Sequence, residues 1–78
     1  MTLADIKQGE EFEITRVPDE KTRIQALRFG LTEGARLGCA GKVPGGPVIV
    51  KRNLQEIAVG RNLARNIEVN RVVREEVS

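Results

Sequence analysis

The chain has 78 residues, 13 of them Lys or Arg and 11 Asp or Glu, for a formal charge of +2. A hydrophobic share of 40% beside 31% charged residues excludes a disordered tail, and the length excludes more than one domain, expected to span residues 1–78. There is no His, Trp or Tyr and a single Cys, which excludes imidazole catalysis, a four-ligand zinc site and a disulfide framework.

In chain order, Thr2 caps a short helical turn over residues 2–6, with Asp5 reaching back and Leu3 and Ile6 as its buried pair. Gly9 releases the chain into a strand over residues 10–17. There Phe12 and Ile14 alternate with Glu11, Glu13 and Thr15, so one face is wet. Those two glutamates on one face read as a solvated face or a weak cation site. Pro18 ends the strand and Asp19 caps a helix. Ile24, Leu27 and Leu31 fall at i, i+3 and i+7 and predict its apolar stripe. Gly30 is expected to end this helix in the left-handed conformation. Phe29 lies off the stripe. Either another element covers it, or it forms an outer apolar patch with Gln25 and Ala26.

Gly34 belongs to a turn. Leu37, Cys39 and Gly41 then share one face of a second strand. Gly45, Gly46 and Pro47 sit in a turn cluster, with no phosphate-loop spacing around them. A third strand covers residues 48–52, Asn53-Leu54 makes a tight turn, and a fourth strand covers residues 56–59. Residues 60–66 form one or two helical turns with Leu63 and Ala64 inward. A closing strand takes residues 67–69, and residues 75–78 are expected to fray. The plan is mainly β, with about five short strands, one main helix after the first and a short helix before the last. Strands this short in a soluble chain predict a small, partly closed barrel.

Charge is unevenly placed. Residues 1–35 hold five basic and seven acidic side chains, whereas residues 36–74 hold eight basic and two acidic. This predicts either a basic surface for an acidic partner or a merely solvated surface. The two Phe residues are too few for a base-stacking platform, so a nucleic-acid-binding barrel using the basic half is disfavoured. No apolar run is longer than Val48-Ile49-Val50, and residues 1–5 lack the basic start of a secretory signal. A cytoplasmic protein without membrane insertion is expected.

One ordered series of features stands out: Leu27-Arg-Phe-Gly30-Leu31-Thr-Glu-Gly34, then Pro44-Gly-Gly-Pro47, then Ile57-Ala-Val-Gly-Arg-Asn-Leu63-Ala64-Arg-Asn-Ile67-Glu-Val69. Together with the opening Thr-Leu-Ala-Asp-Ile-Lys-x-Gly, it resembles the FeoA family, ferrous iron transport protein A, over about residues 2–69. Phe29 stands where that family usually has Leu, Glu33 where it has Pro, and Val59-Gly60 where it has Leu-Arg. The resemblance implies an SH3-like small barrel. It also implies a non-enzymatic accessory of bacterial ferrous iron uptake. Its partner would be the membrane transporter, ferrous iron transport protein B, contacted at its G-protein domain or cytosolic face.

The contact residues expected on this basis are Phe29, Arg28, Arg61 and Arg65. An exposed aromatic is a common interface anchor, and the i, i+4 arginines can meet acidic groups. No cofactor is expected. Cys39 alone is a weak candidate ligand for a transition metal such as Fe2+ or Zn2+, against its reading as a small core residue. A metal-binding or metal-sensing barrel is therefore the alternative function, and the nucleic-acid-binding barrel a second.

Overall fold

Alternation sets the sheet. In the computed structural model, which describes residues 1–73, Phe12 and Ile14 of β1 (Glu11–Arg16) point inward with no exposed surface, while Glu11 and Glu13 stay half-exposed. The remaining elements are α1 (Glu20–Leu27), β2 (Arg36–Lys42), β3 (Val48–Arg52), β4 (Gln55–Val59), α2 (Arg61–Arg65) and β5 (Glu68–Val72). The five strands form one antiparallel sheet in the order β4-β3-β2-β1-β5. The mainly β, SH3-like plan expected from the sequence is the one that forms. β4 and β5 end the sheet and are not paired with each other among the described residues. The expected fraying of residues 75–78 lies outside those described.

A single apolar cluster holds the sheet to the short helical elements. Leu3, Ile6, Phe12, Ile14, Val48, Val50, Val59, Ala64 and Ile67 are all fully buried in it. Burying each large aliphatic or aromatic side chain contributes about 1.5–3 kcal/mol, so this cluster is the main source of stability in a chain without disulfides. The opening 3-10 turn (Leu3–Asp5) places Leu3 and Ile6 there. The Asp5 carboxylate accepts from the Thr2 N–H at 2.8 Å and from its hydroxyl at 3.3 Å. These bonds hold the Asp5 carboxyl below its ordinary pKa, the backbone bond most of all.

Four expectations are corrected. Ile24 and Leu27 do not line the core side of α1; they are 55% and 62% exposed. The helix buries Thr22 and Ala26 instead. Thr22 tolerates burial because its hydroxyl donates to the Asp19 carboxylate at 2.8 Å. Leu31 is buried, but it lies beyond the reversal at Gly30, where helical spacing no longer applies. Because Ala26 faces the core, it does not join Phe29 in an outer patch.

The alternation of β2 also breaks. Leu37 and Cys39 are buried, but the register with β3 shifts between Cys39 and Gly41. Past this bulge Gly41 pairs with Ile49, and Lys42 pairs with the core residue Val48. The Lys42 ammonium leaves the apolar side by donating to the Ala4 carbonyl at 2.6 Å. Finally, the last strand is longer than residues 67–69 and runs to Val72, because β1 pairs with it along its whole length.

Candidate functional site

The N-terminus of α1 is fixed by Asp19, whose carboxylate accepts from the Thr22 N–H at 3.0 Å. The Thr22 hydroxyl and N–H hold that carboxyl below its ordinary pKa. At the other end, Leu31 N–H donates to Ala26 O at 3.0 Å and Gly30 N–H to Leu27 O at 3.1 Å. This pair of bonds is the Schellman ending, which wants glycine at its left-handed position. Gly30 has φ 73°, and a Cβ there would collide with the Arg52 guanidinium. Arg52 in turn donates from Nη1 to Gly30 O at 3.3 Å. Gly30 thus lets the end of α1 and the end of β3 approach each other.

The β3–β4 hairpin closes on Asn53-Leu54. Asn53 takes φ 54°, as the first position of a tight hairpin turn demands. Leu54 projects from the tip, fully exposed. Between this hairpin and the end of α1 runs a shallow groove of about 600 Å³, lined by Arg28, Phe29, Gly30, Arg52, Leu54 and Ile57 among others. Phe29 is 42% exposed. A smaller hollow of about 340 Å³ opens on the same helix beside Val17, Leu27 and Leu31, with the Arg23–Glu33 ion pair (3.1 Å) at its rim. Of the exposed apolar side chains, Phe29 and Leu54 meet in the larger groove and Leu27 lines the smaller hollow.

The groove is also basic. Glu13, Glu33 and Glu10 pair with Arg36, Arg23 and Arg71 respectively. Arg28 and Arg52 take no part in these three ion pairs. What the arrangement can do is bind, by enclosing an apolar side chain and meeting an anionic one.

Of the sequence-based candidates, Arg28 and Phe29 come together in this groove, while Arg61 and Arg65 do not line it. Arg61 donates to Gly46 O and to Val43 O, both at 3.0 Å, and so pins the β2–β3 turn from α2. That turn contains Gly45 at φ 70°, Gly46 and Pro47. Arg65 is exposed in the last turn of α2. Gly34, at φ 88°, donates its N–H to Ile14 O at 2.7 Å and starts the run into β2.

Cys39 is 4% exposed, in the core, and its thiol donates to Gly41 O at 3.4 Å. Burial pushes that thiol above its ordinary pKa. Among the described residues no group of three or more His, Cys, Asp and Glu side chains gathers to hold a metal ion. Sequence reasoning missed Arg52, Leu54 and Ile57. The available signal was Leu54, an apolar residue in a tight turn where polar residues are usual.

The FeoA domain family model matches residues 1–71. The fold is similar to that of an iron uptake regulatory protein (FeoA) in its crystal structure, at 23% identity and a TM-score of 0.84, covering 92% of this chain and 97% of that one. It is also similar to the FeoA protein of Chlorobium tepidum, at 29% identity and a TM-score of 0.79, covering 99% and 75%. A third similar structure is ScaR with bound Cd2+, at 22% identity and a TM-score of 0.78, where 88% of this chain covers 34% of that one. No curated protein matches the chain by sequence.

Proposed function

The chain belongs to the FeoA family, and on that premise we propose that it is a non-enzymatic accessory of ferrous iron uptake that docks on ferrous iron transport protein B. Family membership implies a role in ferrous iron transport. The observation that carries the docking reading is the groove between α1 and the β3–β4 hairpin, where Phe29 and Leu54 stand exposed beside Arg28 and Arg52. Apolar anchors within a basic rim suit a protein surface with acidic groups. No helix among the described residues is long and apolar enough to cross a membrane. In this reading the protein is cytoplasmic and reaches the inner membrane through the transporter.

The mechanism is a difference in affinity. A module that binds one conformation of the transporter's G-protein domain better than another shifts that population. The test is a pull-down of the purified chain against the soluble G-protein domain, without nucleotide, with GDP and with a GTP analogue, each with and without Fe2+. Capture that depends on nucleotide supports a regulator. Phe29→Asp should weaken it at least about tenfold, as loss of an interface anchor does. Absence of capture in every condition contradicts this reading. A rise in melting temperature with Fe2+ or Zn2+ alone would then favour the metal-binding alternative, and steeply salt-dependent nucleic-acid binding the second.

A further inference from the structure

The two edges of the sheet are treated differently. The outer edge of β5 is covered over its first residues by the chain's own N-terminal segment. Leu3 N–H donates to Ile67 O at 2.9 Å, Val69 N–H donates to Met1 O at 3.0 Å, and Thr2 bridges Glu68. The outer edge of β4 has no such cover. Its pairing with β3 runs Arg52↔Gln55, Lys51↔Glu56, Val50↔Ile57, Ile49↔Ala58 and Val48↔Val59 across a two-residue turn. In an antiparallel hairpin of that kind the pair flanking the turn exchanges hydrogen bonds, and every second pair does so after it. Glu56 and Ala58 therefore turn their N–H and C=O groups away from β3. None of these groups has a backbone partner outside the strand pairing among the described residues.

Open edges in soluble proteins are normally blunted by Lys, Pro, bulges or a covering segment. β4 carries none of these: its sequence is Gln-Glu-Ile-Ala-Val, its register with β3 is regular, and Ala58 is exposed. Its one charge, Glu56, lies opposite Lys51 on the outer face. On the other face, Ile57 belongs to the groove that also holds Phe29, Leu54, Arg28 and Arg52. An extended segment laid along β4 would place every second side chain over this groove.

We propose that β4 is an acceptor edge, taking up an extended acidic segment of a partner protein as a sixth strand. The open amides and carbonyls of Glu56 and Ala58 supply its main-chain bonds. Ile57, Phe29 and Leu54 receive an apolar side chain, and Arg28 and Arg52 meet a carboxylate two residues away on the same face. Strand addition divides labour in this way, with main-chain bonds giving affinity and pockets for alternate side chains giving selectivity. The proposal rests on the docking reading only for the partner's identity.

The experiment measures amide hydrogen exchange of the full chain with two synthetic ten-residue peptides. In one, Val and Glu take turns at every second position with Thr between them; in the other, Lys replaces Glu. The Glu peptide should slow exchange at Glu56 and Ala58 at least about tenfold, with little change at Ile57, whose N–H is already bonded. The Lys peptide should do nothing, and R28E/R52E should reverse the preference. Ala58→Pro removes an outward N–H without breaking a bond to β3, so it should leave the fold intact and abolish protection.

Equal protection by both peptides, or protection by neither, overturns the proposal. So does a concentration-dependent dimer that Ala58→Pro abolishes, since the occupant is then a second copy. The transporter's G-protein domain separates this proposal from the docking reading. If that domain binds but leaves Glu56 and Ala58 exchanging freely, the strand proposal falls and docking stands. If the domain does not bind while the Glu peptide still protects the edge, docking falls and the acceptor edge stands.

Discussion

The β5 side and the β4 side of this small sheet share a core but differ in how they end. On the β5 side, residues 1–3 supply main-chain partners, and Leu3, Ile6 and Ile67 close over the core without exposed surface. On the β4 side, the hairpin tip and the end of α1 present Leu54 and Phe29 to solvent. Both sides use the same apolar residue types, so composition does not distinguish them. What distinguishes them is whether a segment of the chain itself arrives to cover the surface. The covered side contributes stability, and the uncovered side is where the proposed docking and strand addition would take place.

That contrast predicts a large asymmetry between two leucines. Leu3→Ala should cost about 2–5 kcal/mol of unfolding free energy, the usual range for a buried leucine. Leu54→Ala should stay within about 0.5 kcal/mol, as exposed substitutions do. Urea denaturation of both variants checks this, and similar losses would erase the distinction between the sides. In transporter binding the order should invert, with Leu54→Ala weakening capture and any properly folded β5-side variant leaving it alone.

A smaller effect follows from acid. Asp5 ties down the N-terminal cover, and Glu10 pairs with Arg71 of β5 at 2.8 Å. The Arg71 hydrogen bond, then the Lys7 N–H, hold the Glu10 carboxyl below its ordinary pKa, and the Thr2 N–H does the same most strongly for Asp5. A lowered folded pKa means the stabilisation is complete above the ordinary values of 3.8 and 4.5 and is lost as pH falls toward the folded ones. The melting temperature should therefore drop below about pH 4.5, and D5N/E10Q should flatten that drop.

The smallest effect concerns the centre of the sheet. Because burial raises its pKa, the Cys39 thiol should react with iodoacetamide at pH 8 far more slowly than a free cysteine. Labelling at the rate of an exposed thiol would mean that the core opens readily between the two sides.

Much of the fold was legible in the sequence because its signals are local. Phe12 and Ile14 alternate with charges, Asp19 and Asp5 sit at cap positions, and Gly30 marks a left-handed end. The outward turn of Ile24 and Leu27 was not legible. An eight-residue helix contributes few contacts of its own, and its facing was decided by the core, which received Ala26, and by the Asp19 cap, which holds Thr22. The β2 bulge was hidden for a similar reason, since Ala40 and Gly41 carry too little side chain to mark a face. Half of the candidate site was visible in Arg28 and Phe29. The other half, on the β3–β4 hairpin, depends on Arg52 meeting Gly30, a contact between residues far apart in the chain.

The most direct test of this account is the exchange footprint of the transporter's G-protein domain on the full chain. Exchange should slow at the end of α1 and along β4, with the amides of β5 and the N-terminal segment unchanged. A footprint on β5, the N-terminal segment and α2, with β4 exchanging as in the free protein, would contradict it.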